Sequence, residues 1–220
     1  MPFKVRGKLI GFMNDPENFP CHFDYEIGEE FTYDGSAIGG RICPGVLLTM
    51  VPVVWQTFFS GRHTNERVLF RYDGLSAKDP DMKEYDGIGF RPLTEAPAGS
   101  GERGRIVATP QRPGGMTGGS GFGCADCRTS AYFMVEPIDI ASGGYTLPFY
   151  RRQMAILDKV IAEPGLTAGE LLGRFTEWER EHIHPVIYEV NVQLMLEELE
   201  QVGYVELREG RAYPGARPRP

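Results

Sequence analysis

The chain has no apolar run long enough to cross a bilayer. Its longest such stretch, Val46 to Phe59, is interrupted by Thr49, Pro52, Gln56 and Thr57. Nor do Met1-Pro2-Phe3-Lys4-Val5-Arg6 carry the apolar core of an export signal; they run directly into a strand-like segment, so a cytoplasmic setting and no membrane partner are expected. Basic residues are in deficit, 23 Lys and Arg against 30 Asp and Glu, and the formal charge of -7 repels a polyanion unless the cations gather on one face. Internal repeats and heptad arrays are missing as well. With 41% apolar and 24% charged residues over 220 positions, the composition is that of a globule with one sizeable domain or two modest ones.

Cysteine is sparse, and its placement carries the main signal. Cys21 and Cys43 stand 22 positions apart near the start, while Cys124-Ala125-Asp126-Cys127 forms a C-x-x-C turn in a glycine-rich stretch. In a reducing compartment four cysteines point to metal, chemistry or packing before disulfides. A C-x-x-C turn can present two thiolates to one tetrahedral ion, and Cys21 with Cys43 could close the site, so a four-cysteine centre of Cys21, Cys43, Cys124 and Cys127 is expected. Zinc is the first choice of metal and an iron-sulfur cluster the second, since four thiolates suit both. His22, beside Cys21, could replace one thiolate or support a ligand from outside. The competing readings are buried or unpaired thiols and a redox dithiol. Arg128 to Val135 is strand-like, whereas redox C-x-x-C motifs open a helix.

The pattern along the chain predicts an α+β fold: a small mixed or antiparallel sheet domain with one buried helix, then a winged-helix-like α domain. Phe3–Met13 reads as a strand, Tyr25–Gly35 as a second ending in Asp-Gly, and Ala131–Glu136 as a later one. Cys43-Pro44 opens a buried helix from Val46 to Phe59, bent or broken at Pro52. Residues 62–123 read as an insertion, with one strand at Val68–Tyr72 and a flexible glycine run at Gly114–Gly123 that lacks the lysine of a phosphate-binding loop. Domain boundaries are thus expected at 1–147 and 148–220. In the second part, helices at Gln153–Ala162, Ala168–Phe175 and Pro185–Gly203 precede a hairpin at Tyr204–Tyr213. Arg151 to Pro220 holds nine basic and twelve acidic residues, and the third helix carries Glu189, Glu197, Glu198 and Glu200 with no cation, the wrong balance for reading DNA. A protein partner or self-association through residues 148–213 is expected instead, with nucleic acid unfavoured.

Cys21, then Gly28-Glu29-Glu30-Phe31 with Asp34-Gly35, then Cys43 leading into Val46–Phe59 with Gly61, and finally Cys124–Cys127 before Tyr132–Val135 follow one another in a recognisable order. In this order the chain resembles a family of small prokaryotic cysteine-containing proteins of about a hundred residues. The resemblance covers roughly residues 1 to 60 and 120 to 140; residues 62–123 and the C-terminal part depart from it. That family is defined by its pattern and not by an activity, so the resemblance implies a cysteine-centred core and no reaction.

The first functional expectation is a metal-binding accessory protein or enzyme subunit with a C-terminal contact module. A small metalloenzyme at the cysteines, with Asp126, His22 or Asp24 as proton carriers, is the alternative. A metal- or redox-responsive transcriptional regulator comes third.

Overall fold

A computed structural model describes residues 2–62, 68–70, 90–92, 105–107 and 120–220. It shows a mixed α+β protein with antiparallel sheets and, among the described residues, five α-helices. The first strand, β1 (Phe3–Phe12), turns Phe3, Val5, Gly7 and Leu9 inward and Lys4, Arg6 and Lys8 outward, as a period of two dictates. Next come β2 (Glu30–Tyr33) and β3 (Ile38–Gly39), α1 (Pro44–Ser60), the short strands β4 (Val68–Phe70), β5 (Phe90–Pro92) and β6 (Arg105–Val107), then β7 (Ser120–Gly123) and β8 (Ala131–Ile140). The main sheet has the order β3-β2-β1-β8-β7, so residues 2–60 and 120–140 form one unit in which β1 pairs with β8 along its length. Gly7 is required by this packing: a Cβ there would lie 2.1 Å from the Phe31 ring. On the outer face Arg6 bonds Glu136 at 2.5 Å and reaches Glu30 at 3.5 Å, exposed pairs that align strands more than they stabilise them.

The helix α1 covers the inner face of this sheet with Val46, Met50, Val54 and Phe58. Two sequence expectations need correction here. Pro52 does not break the helix, which continues to Ser60 with the proline on its exposed side. The helix is also not buried all round: Leu47, Leu48, Val51 and Trp55 are exposed on one face. The second strand is shorter than its apolar and acidic alternation suggests, four residues in place of the stretch Tyr25–Gly35. Residues 71 and 72 of the predicted Val68–Tyr72 strand, and 114–119 of the glycine run, lie outside the described residues, while Ser120–Gly123 pairs with β8 as a strand.

After a 3-10 turn at Gly144–Thr146, the chain enters α2 (Leu147–Ala162), β9 (Leu166–Thr167), α3 (Ala168–Leu172), α4 (Glu177–His182), α5 (Glu189–Gln201), β10 (Val205–Arg208) and β11 (Arg211–Pro214). Thr167 with Glu170 and Thr176 with Glu179 form capping boxes that fix the starts of α3 and α4. The three strands pair antiparallel in the order β10-β11-β9. Phe3 and Ile140 of the main sheet belong to the same apolar cluster as Ile156, Leu157, Leu171, Met195 and Leu196. A polar latch accompanies this shared core: the Tyr204 hydroxyl donates to Asp139 Oδ1 at 2.9 Å, and Arg217 donates to Asp139 Oδ2 at 2.6 Å and to the Ile138 carbonyl at 2.8 Å.

Candidate functional site

The fold brings three of the four cysteines to one place. Cys21 follows the loop after β1, Cys43 caps α1 and Cys124 follows β7, and these three line one pocket of about 240 Å³ with His22, Phe23, Pro44, Gly45, Asp126 and Thr129. Cys127 is exposed and stays outside that lining. The local backbone explains the convergence. The Ala125 N–H donates to the Gly45 carbonyl at 3.1 Å, which fixes the C-x-x-C turn against the first turn of α1, and Ser130, at a φ of 46°, sends its N–H back to the Asp126 carbonyl at 2.8 Å.

Two sulfurs are held by backbone N–H groups: Cys43 Sγ accepts from Val46 at 3.3 Å, and Cys124 Sγ accepts from Ala131 at 3.2 Å. Cysteine thus fills the N-cap role usually taken by serine or threonine. The backbone N–H of Cys43 is itself tied down, donating at 2.9 Å to the Tyr25 hydroxyl, which donates in turn to the Arg41 carbonyl at 3.2 Å. Tyr25 is a residue that sequence reasoning missed; its one signal is a position between Cys21 and the Gly-x-x-Phe strand.

The expected metal centre is overturned by this geometry. Among the described residues no group of three or more His, Cys, Asp or Glu side chains is placed to hold a metal ion, so the metal-binding function expected of Cys21, Cys43, Cys124 and Cys127 is not supported. The physical reason is the direction of the sulfurs. Cys124 and Cys127 each point back at their own turn, toward the Asp126 and Ala125 carbonyls, both at 3.8 Å. A metal-binding accessory protein and a metalloenzyme are therefore not supported, nor is a metal-responsive regulator. His22 stands at the rim, where the Arg128 guanidinium donates to its Nε2 at 3.3 Å; Arg128 also bonds Asp126 at 3.3 Å, so one guanidinium ties the ring to the carboxylate. The Arg128 backbone N–H, then its side chain, hold the Asp126 carboxyl below the usual range. Asp24 is exposed and does not line the pocket.

Burial pushes the Tyr25 phenol up to about 12. The folded protein then holds this proton more tightly than the unfolded chain, whose tyrosines titrate near 10. Its contribution is complete below pH ~10 and disappears as the pH climbs toward ~12. In urea titrations across that interval, Tyr25→Phe is expected to lose stability less steeply than the wild type. Parallel curves would contradict the assignment.

Comparison with family models, curated proteins and solved structures gives no match to this chain. The functional reading therefore rests on the molecule's own geometry.

Proposed function

We propose that the protein works by contact with another protein chain, a second copy of itself before any other, through the outward face of α1. The observation that carries this is the face itself. Leu47, Leu48, Val51 and Trp55 are 45%, 75%, 53% and 44% exposed, they fall within about a third of a turn of one another, and no residue of this 17-residue helix is charged. Single exposed apolar side chains are ordinary, but an aligned set marks an interaction surface. An uncharged stripe can pair with its own copy about a two-fold axis at no like-charge cost, whereas the rest of a surface with net charge -7 repels its copy.

Four such side chains offer on the order of 400 Å² per copy, roughly half of what a standard interface buries on each partner, so the dimer is weak and concentration-dependent. Sedimentation velocity over a concentration series is expected to show self-association, and Leu48→Glu to return the protein to monomer. A sedimentation coefficient that stays constant with concentration rules the reading out.

Residues 148–220 enter this reading as a winged-helix-like module, supported by the order of α2, α3, α5 and the β10-β11 hairpin and by the three-stranded pairing with β9. Its third principal helix, α5, exposes only Glu189 and Glu200, with Val192, Leu194, Met195, Leu196, Glu198 and Leu199 buried. The accessible side of this helix carries Glu189, Glu197 and Glu200 and no cation, the wrong charge for a DNA groove. Within 148–213, Trp178 and Ile183 are exposed and provide a second, smaller contact for a protein partner. The reading places the chain in the cytoplasm, where its thiols stay reduced; no helix among the described residues is long and apolar enough to cross a membrane. Residues 1–60 and 120–140 are, in this reading, the unit shared with the small prokaryotic family.

A further inference from the structure

We propose that the pocket of Cys21, Cys43 and Cys124 is a thiol–disulfide exchange site for a small, largely apolar disulfide, with Cys43 as the attacking sulfur. Three free thiols from separate stretches of chain meet at one open pocket of about 240 Å³, which accommodates a short substituent and excludes a peptide-sized one. Phe23 and Pro44 supply apolar wall, and the ionisable groups at the rim, His22, Asp126 and the neighbouring Arg128, are engaged with one another.

Within the pocket the three sulfurs are not equivalent. Cys124 directs its thiol toward the Asp126 carbonyl at 3.8 Å while accepting from Ala131. The hydrogen bond at Cys43 Sγ is one it accepts, from the Val46 N–H in the first turn of a 17-residue helix. That N–H, together with the helix terminus, meets the negative charge that gathers on sulfur as it attacks and, in the reverse step, as it leaves.

The step is balanced without any further oxidant. Cys43 gives its proton to solvent, its sulfur attacks one sulfur of R–S–S–R, the S–S bond breaks, and the departing RS⁻ takes up a proton. The products are the mixed disulfide of Cys43 and one free thiol RSH. The disulfide is reduced by the protein thiol, and the group R comes to rest against Phe23 and Pro44.

Cys127 is a built-in reference, because it is exposed and outside the pocket. Reduced full-length protein is treated separately with bis(2-hydroxyethyl) disulfide, which is small and uncharged, and with glutathione disulfide, which is bulky and charged. Labelling rates at each cysteine are read by peptide mass mapping. The ratio of Cys43 to Cys127 labelling is expected to be at least about tenfold higher with the small reagent. Cys43→Ser removes the pocket adduct while its hydroxyl keeps the helix cap, and Cys127→Ser leaves the Cys43 rate unchanged. Equal ratios for the two reagents, or small-reagent labelling confined to Cys127, overturn the proposal; should Cys43→Ser fail to fold, the wild-type ratio alone decides.

Discussion

Replacement of Phe133 by alanine is expected to cost about 3–5 kcal/mol, toward the upper part of the range for a buried ring. Phe133 is 1% exposed near the start of β8 and touches three other rings: it stacks on Phe122 with centroids 5.5 Å apart and planes 8° apart, meets Tyr25 edge-on at 5.5 Å, and lies 5.8 Å from Phe31. Loss of the ring removes its transfer free energy, leaves a cavity between strand and helix, and ends three aromatic contacts that each add about 0.5–1.5 kcal/mol. Phe133→Leu keeps most of the volume and loses clearly less. Urea denaturation measures both. A loss below about 1 kcal/mol for the alanine variant is inconsistent with a ring in this position. The effect reaches the pocket too, because the Tyr25 ring that rests on Phe133 carries the hydroxyl bonded to Cys43.

The second large effect is expected at Arg152, an arginine 4% exposed on α2. Its guanidinium donates to the Pro185 carbonyl at 2.9 Å and to the carbonyls of Glu179 and Ile183, which ties α4 and the start of the segment after it to one side chain. Burial lowers the arginine's pKa from its ordinary value, a measure of what its desolvation costs and of what the carbonyls must offset. Arg152→Ala removes the donor of three part-buried hydrogen bonds together with the packing of a buried side chain, and a loss of about 3 kcal/mol is expected. Arg152→Lys restores only part of it, since an ammonium is a compact charge and not a planar fork that can span separate carbonyls. Hydrogen exchange should show faster opening across residues 179–187. Equal stability of the alanine variant and wild type would mean that the segment holds itself.

Much of the architecture was legible where side chains alternate or recur regularly. In β1 the pattern Phe3, Val5, Leu9 against Lys4, Arg6, Lys8 is a direct record of two faces, and in α2 the apolar positions Ile156, Leu157 and Val160 mark a single helical side. The two residues of β9 escaped because their pairing with β11 is a tertiary event, and α4 escaped because none of its residues is buried. The outer face of α1 was read as core because apolar content alone does not say how much of a helix is covered.

For the site, the cysteine count announced a meeting point, and three of the four sulfurs do share a pocket. The directions of those sulfurs were not legible. They depend on backbone details such as the positive φ of Ser130 and the Ala125–Gly45 hydrogen bond, which residue identity and spacing do not encode. Tyr25 was hidden for a related reason, since its role is defined by a contact with the N–H of a residue 18 positions away.

Phe3 and Ile140 lie in the sheet yet are packed by the helices of the C-terminal half, and Asp139 is gripped there by Tyr204 and Arg217. The helical half therefore does not own a complete hydrophobic interior, whereas the sheet half has a second one under α1. The same two strands therefore link the thiol pocket, where Ala131 at the start of β8 bonds Cys124, to the helical layer, where Phe3 and Ile140 are packed.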